Sequence, residues 1–307
     1  MSDHHTPLEH LIRRAQNAFL GLAIGDALGA TTEFLTPSEI KFRHKIHRRM
    51  IGGGWLNLKP GQVTDDTEMS LCIARAIDEA SGWHLHGIAE HFAGWLRSKP
   101  IDVGATCRRG ISDFIMKGQT EKAYSDWDGG NGAAMRMLPV ALFTLGDEAL
   151  LEQYSIQQAH LTHNHPLSDA GCIAVGKLVQ QALQGDDRPK LHATVRQLCA
   201  EHPKFHCKHY RGLASAYVVE TLQTVFHYFF STGDFEECLI GVVNQGGDAD
   251  TTGAIVGMIA GAFYADKPWP RNWLKKLNPK VKTEVTALAE RLVRLSPLGK
   301  RLQAAEG

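Results

Sequence analysis

The chain has 307 residues, 43% of them apolar and 21% charged, an ordinary globular mix. Its 33 basic and 33 acidic side chains cancel, which argues against a nucleic-acid footprint or a general attraction to anionic membranes. The six cysteines (Cys72, Cys107, Cys172, Cys199, Cys207, Cys238) include no CxxC pair, and a chain this long buries a core without disulfides, so reduced thiols in the cytoplasm are expected.

The N-terminal MSDHHTPLEH has no basic segment followed by an apolar one, so no secretory signal is expected. The longest apolar stretch, 253–265, is too short to span a bilayer. Helical periodicity begins after Pro7, where Leu8, Leu11, Ile12, Ala15, Phe19, Leu22 and Ala23 predict a helix over 8–30. Met69, Ile73, Ala76, Ile77 and Ala80 predict another over 65–80. Segments 84–97, 132–145, 169–184, 191–200, 213–230, 235–243, 251–265 and 281–295 follow with similar spacing. The stretch 184–190 (QGDDRPK) reads as a surface turn rather than a domain boundary. Strand-like alternation is scarce. The expectation is an all-α, compact multi-helix bundle forming a single domain over 1–307.

Two of these helices carry glycines four apart: Gly21, Gly25 and Gly29, then Gly253, Gly257 and Gly261. A glycine costs about 1 kcal/mol relative to alanine inside a helix, a cost that close packing against another backbone would offset.

The acidic residues gather at helix ends. Glu33 follows the first striped helix, Thr64-Asp65-Asp66-Thr67-Glu68 opens the helix at 65–80, and Asp248-Ala249-Asp250-Thr251 opens the second striped helix. Capping is the ordinary explanation of any one cluster, since carboxylates satisfy free N–H groups and the helix dipole. Asp65 and Glu68 even have capping-box spacing. One oxygen per helix is enough for capping, however, and here the carboxylates come in pairs. If the helix ends meet, four or five carboxylates converge, raise one another's pKa and oppose folding unless a hard dication joins them. Oxygen ligands of this kind suit Mg²⁺ or Mn²⁺ rather than Zn²⁺, with two ions sharing bridging carboxylates.

Other polar runs carry less. Gly129 to Gly132 would offer N–H groups to a diphosphate at a helix start, but the motif does not follow a strand, so a Rossmann site is excluded. His160, His163 and His165 lack zinc-finger spacing, and His202, His206 and His209 with Cys207 read as a polar loop. Asp102, two residues after Pro100, has the ordinary reading of a loop-capping residue.

GLAIGDALGATTEF, GQVTDDTEMSL, GGNGAAMR, THNHPLSDA and NQGGDADTTGAIVGMIAGAFY resemble the ADP-ribosylglycohydrolase family, in family order from about residue 20 to 265. GGGWLNLKPGQVTDDTEMSL and WLRSKPIDVGATCRRGI are similar to its bacterial members that act on dinitrogenase reductase. The resemblance implies an orthogonal all-α bundle with a dinuclear Mn²⁺ or Mg²⁺ centre held by Glu33, Thr64, Asp65, Asp66, Asp248, Asp250 and Thr251. It implies that Gly130, Asn131, Gly132 and His163 bind ADP-ribose, and that Asp102, Thr106, Asp126 and Tyr217 also face the substrate. Tyr217, by periodicity, sits in a helix, where its ordinary reading is a core tyrosine with a satisfied hydroxyl. Ala105 and Asp126 depart from the family pattern, which has Asn and Glu there, and touch only the ribose or guanidinium contacts.

The implied reaction removes ADP-ribose from an arginine of dinitrogenase reductase, with metals on the ribose hydroxyls and Asp102 managing protons. Direct displacement and a ring-opened imine are both open. The resemblance also implies control by a PII nitrogen-signalling protein and indirect recruitment to an ammonium channel in the membrane. The basic stretch 41–49 (KFRHKIHRR) is a candidate docking surface, though a solvated charged face is its simpler reading. Competing readings are a hydrolase acting on another ADP-ribosylated target and a non-catalytic ADP-ribose-binding or crystallin-like relative. Intact carboxylate pairs at 65/66 and 248/250 argue against the last, because a structural relative could lose them freely.

Overall fold

A computed structural model describes residues 6–206, 210–212 and 214–306, and the described residues are helical with no strands. In chain order the helices are α1 (Pro7–Gly29), α2 (Pro37–His44), α3 (Asp65–Ala80), α4 (Leu85–Arg97), α5 (Ala105–Lys117), α6 (Leu138–Phe143), α7 (Glu148–His160) and α8 (Pro166–Gln184). They continue with α9 (Arg188–Glu201), α10 (Val218–Ser231), α11 (Phe235–Val243), α12 (Ala249–Phe263), α13 (Arg271–Lys276), α14 (Pro279–Leu295) and α15 (Pro297–Glu306). Isolated bridges join Gly53 to Leu58 and Gly130 to Tyr217.

The two glycine-striped helices form the central seam. They run antiparallel, so Gly21 meets Gly257, Gly25 meets Gly253, and Gly29 meets Ala249. A Cβ at any of the three α1 glycines would fall inside the van der Waals surface of a backbone carbonyl oxygen on α12. The stripes are therefore a backbone-to-backbone contact, and the apolar side chains of both helices turn outward into the core, where Phe19, Leu22, Ile24, Ile255 and Met258 are fully buried. The antiparallel seam has one consequence for chemistry: the end of α1 and the start of α12 lie side by side.

Element starts follow local capping. Thr6 accepts from Glu9 N while the Glu9 carboxylate accepts from Thr6 N, a complete capping box with Pro7 in the first turn. Thr36, Pro37 and Glu39 repeat that arrangement at α2. The turn at 184–190 joins α8 to α9 directly. Of the expected helix over 132–145 only 138–143 is helical, as α6, because 131–137 is a series of turns and bends. The expected helix over 213–230 begins later, at Val218. Periodicity missed α2, α5, α7, α13 and α15. Two of these are short, α5 has Gly110 on its buried face, and α7 buries a single face on which Ser155 and Gln158 are polar, which weakens the apolar pattern. No helix among the described residues is long and apolar enough to cross a membrane.

Candidate active site

Asp26 organises the site from below. This residue of α1 is fully buried and accepts from Thr64 N at 3.0 Å, Thr64 Oγ1 at 2.8 Å, Thr67 N at 3.1 Å and Thr67 Oγ1. The free N–H groups at the start of α3 are thus satisfied by a side chain from another helix, and Thr64 makes no cap bond to its own helix. The capping box expected between Asp65 and Glu68 does not form. Glu68 accepts instead from Trp95 Nε1 at 2.7 Å, and Asp65 accepts from Gly104 N at 3.1 Å. At α12 the N-cap Asp248 likewise makes no side-chain cap bond. Relieved of capping, the acidic residues of both helix starts turn toward each other.

The loops leaving α1 and entering α12 are clipped together by backbone bonds. Phe34 N donates to Gly247 O at 2.7 Å and Gly247 N donates to Leu35 O at 3.0 Å. Gly247 has φ +65°, a conformation that glycine adopts without strain and that lets both its polar groups face the same neighbour. Glu33, Asp248 and Asp250 each offer a carboxylate oxygen, and these oxygens lie within 4.8 Å of one another. Trp55 Nε1 holds Glu33 with a 2.6 Å bond, and Asn131 Nδ2 holds Asp248 at 2.7 Å. Asp66 is fully buried, with one oxygen 3.2 Å from Thr64 Oγ1, and is also hydrogen-bonded by the Thr251 side chain. Its second oxygen, Oδ1, is buried with no donor. An orphaned carboxylate oxygen beside three converging carboxylates, with oxygen donors only, is a donor set that fits a hard metal ion.

Burial, and after it neighbouring carboxylates, pushes these acids up. Glu33 rises to about 8 through burial, Asp248 and Asp102. Asp26 rises to about 6 through burial, held back by its four donors. Asp65, Asp66 and Asp250 lie well above the usual carboxylate range for the same two reasons, the charge of Asp66 acting on Asp250 and that of Asp102 on Asp65. Between about pH 4.5 and 8 the metal-free fold therefore holds protons that the unfolded chain has released, so its stability falls as pH rises across that window. Chelator-treated protein is expected to melt at progressively lower temperature from pH 5 to 8, and the increment from added Mn²⁺ is expected to grow over the same range. An increment independent of pH would mean that the carboxylates do not share an ion.

The acids form one wall of a cavity of about 720 Å³, a volume in the range of small-molecule sites. Glu33, Asp65, Asp248, Asp250 and Thr251 line it, with Asp102, Thr106, Gly130, Asn131, Gly132 and His163 opposite or beside them. Thr64 and Asp66 are fully buried and not part of the lining. Asp102 accepts from the following Val103 N at 2.7 Å, and burial followed by the Asp248 charge raises its pKa. Thr106 accepts from Arg109 at 3.0 Å. Ala105 is exposed at the first turn of α5 and lines the cavity.

Two expected contacts differ. Asp126 is exposed, takes a hydrogen bond from Tyr124 and is not among the lining residues. Tyr217 is neither helical nor a core residue. It is the N-cap of α10, 37% exposed, with its ring packed over Gly129 just outside the lining. The expected cradle of free N–H groups at a helix start is also altered, because Asn131 N donates to Ala216 O at 2.9 Å and no regular helix begins there. A second cavity of about 730 Å³ between α9 and α10 has no carboxylate in its lining. Of the polar loop following α9, Cys207 and His209 lie outside the described residues.

The ADP-ribosylglycohydrolase family model matches residues 7–301. The chain belongs to the ADP-ribosylglycohydrolase family. It is 52% identical over 285 residues, 93% of this chain and 97% of the relative, to the ADP-ribosyl-[dinitrogen reductase] glycohydrolase of Rhodospirillum rubrum. It is 30% identical to the ADP-ribosylarginine hydrolase Tri1 of Serratia proteamaculans, over 95% of this chain and 82% of that one. A solved structure titled ADP-ribosylglycohydrolase-related protein complex superposes with a TM-score of 0.83 at 32% identity, covering 93% of this chain and 99% of its own.

In this glycohydrolase, pattern reading passed over several residues that shape the site. Asp26 had one signal, a lone acid inside the apolar second half of α1, which must be satisfied when buried. Trp55 had none, because its partner Glu33 is joined to it only by the fold. Phe34 and Trp55 pack with ring centres 5.3 Å apart and planes tilted by 51°, and stand 64% and 52% exposed at the cavity wall.

Proposed function

We propose that the protein hydrolyses the N-glycosidic bond between ADP-ribose and an arginine of dinitrogenase reductase, restoring nitrogenase activity. The observation that carries this reading is the convergence of Glu33, Asp248 and Asp250 on one wall of a ligand-sized cavity. The 52% identity to the Rhodospirillum rubrum glycohydrolase supports the choice of target. Packing of α14 and α15 against α1 supports a single catalytic domain over 1–307.

Two divalent cations, Mn²⁺ or Mg²⁺, are proposed, held by Glu33, Thr64, Asp65, Asp66, Asp248, Asp250 and Thr251. Cations there would polarise the ribose hydroxyls and favour hydroxide over water. The chain's own residues do the rest. Water oxygen bonds to the ribose anomeric carbon, the bond to the guanidine nitrogen breaks, and its electron pair leaves with that nitrogen. Asp102, whose carboxyl is raised above the usual range by burial, takes the proton from water and passes it to the leaving nitrogen. His163 and the Gly130, Asn131 and Gly132 loop hold the diphosphate and Thr106 borders the ribose, while Asp126 and Tyr217, outside the lining, would meet the target arginine at the mouth.

Asp102→Asn is expected to lower the rate by about 10²-fold or more with metal content unchanged. Wild-type turnover in that variant would remove Asp102 from proton transfer. The proposal as a whole is tested by release of ADP-ribose from modified dinitrogenase reductase with Mn²⁺ and with chelator. Binding of ADP-ribose without release in Mn²⁺ would make the protein a binding module. A PII-type regulator, and through it an ammonium channel, would meet the protein at its surface. We put forward residues 41–49 for that contact because exposed Phe42 and Ile46 interrupt the basic run. Charge reversal at Lys41 and Arg43 that leaves regulation intact would remove this surface from consideration.

A further inference from the structure

Behind the cavity lies a guanidinium with no ion-pair partner among the described residues, that of the fully buried Arg136. It is held instead by neutral groups. Its Nε donates to Gln158 Oε1 at 2.8 Å, one Nη donates to Gln158 O at 2.9 Å and to Thr162 Oγ1 at 2.7 Å, and its plane lies 4.7 Å from the Phe92 ring centre. Gln158 in turn is fixed by donating its amide to Ala133 O at 3.1 Å.

The bond to Thr162 has a consequence one residue further on. A guanidinium has no acceptor, so Thr162 Oγ1 must receive the Arg136 hydrogen bond. The same oxygen lies 2.8 Å from His163 Nδ1, and no other acceptor for its hydroxyl proton is present among the described residues. Were Nδ1 to carry a hydrogen, the Thr162 hydroxyl would receive two donors and give none, a buried and unsatisfied O–H. Donation by Thr162 into the Nδ1 lone pair satisfies the guanidinium, the hydroxyl and Nδ1 together, and the Arg136 charge polarises the hydroxyl toward that role. The remaining hydrogen of the neutral ring then sits on Nε2. Nε2 has no protein partner, and it faces Gly130 and Gly132, where an added Cβ would come within 3.1 Å and 3.3 Å of it. Burial, with Arg136, Lys122 and Arg109 behind it, keeps His163 uncharged.

We infer that Arg136 and Thr162 are positioning residues that fix His163 as its Nε2–H tautomer, so that the ring offers a donor rather than a lone pair to an anionic ligand group over the Gly130–Gly132 loop. The ligand half of this inference rests on the proposal that the cavity takes ADP-ribose. A diphosphate has acceptors only. An imidazole of the other tautomer would turn a lone pair toward it.

The test is ¹⁵N-histidine NMR of the metal-free full chain, with the His163 signals assigned by comparison with His163→Gln. The expected spectrum shows a pyridine-type Nδ1 and a pyrrole-type Nε2. Thr162→Val is expected to abolish that preference and to weaken ADP-ribose binding to the Mn²⁺-loaded protein by about 10-fold or more, and Thr162→Ser to restore both. Arg136→Met is expected to yield a mixture of tautomers. A hydrogen on Nδ1 in the unaltered protein overturns the inference without any variant. So does a Thr162→Val protein that keeps both the tautomer and the affinity. If the unaltered protein shows the Nε2–H tautomer but binds no ADP-ribose, the positioning stands and the ligand reading falls.

Discussion

Asp250→Asn is expected to lower metal-dependent glycohydrolase activity by about 10³-fold while raising the thermal stability of the metal-stripped chain. The opposite signs follow from one cause. Asp250 is buried, and its ionised form is opposed first by loss of water and then by the charges of Asp66, Glu33, Asp248 and Asp26. The amide keeps an oxygen to accept the 2.9 Å bond from Thr251 N but adds no charge. Removing a buried, repelled carboxylate should stabilise the chelated protein at pH 8 by about 2 kcal/mol, roughly 3–6 °C in melting temperature. Calorimetry after chelation, paired with an ADP-ribose release assay, reads both arms. A variant that loses stability together with activity would show that the carboxylates support the bare fold, and the cation reading would lose its main physical reason.

Gly25→Val is expected to cost about 3 kcal/mol or more, at the upper end for overpacking. The obstacle is rigid, since the new Cβ would overlap the Gly253 carbonyl rather than a side chain that can turn away. Separation of α1 from α12 would also part Glu33 from Asp250, so Mn²⁺ affinity should fall with stability. Gly94→Ala in α4 is the control. It is exposed, a Cβ there meets nothing within 4 Å, and the change should stabilise by about 0.5–1 kcal/mol. Urea unfolding of the two variants separates a glycine needed for contact from one that is merely present. Wild-type stability for Gly25→Val would dissolve the seam.

The helix pair and the acid clusters were legible in the sequence because both are written locally. Stripes four residues apart reveal a contact face, and paired carboxylates exceed what a cap requires. Meeting of the clusters was legible only as a condition, and the antiparallel seam fulfils it. What stayed hidden depends on partners distant in sequence. Asp26 caps α3 across 38 residues, and Asn131 spends its N–H on Ala216 and its amide on Asp248. Arg136 reaches Thr162 through the turns at 131–137 that periodicity had smoothed into a helix. Tyr217 lost its expected helical setting because 216–218 pairs with the loop at 129–131 instead.

A repeating contact has no intrinsic zero point. Sliding one striped helix past the other by four residues would again seat glycine against small residues at most levels, yet would displace Glu33 relative to Asp250 by about 6 Å. The stripe alone therefore behaves like a ruler without numbers. The mark is supplied at one end, by the pair of backbone hydrogen bonds that join Phe34 and Leu35 to Gly247. The accuracy with which the two acidic loops face each other is set by that short clip, while the long helices supply only its leverage.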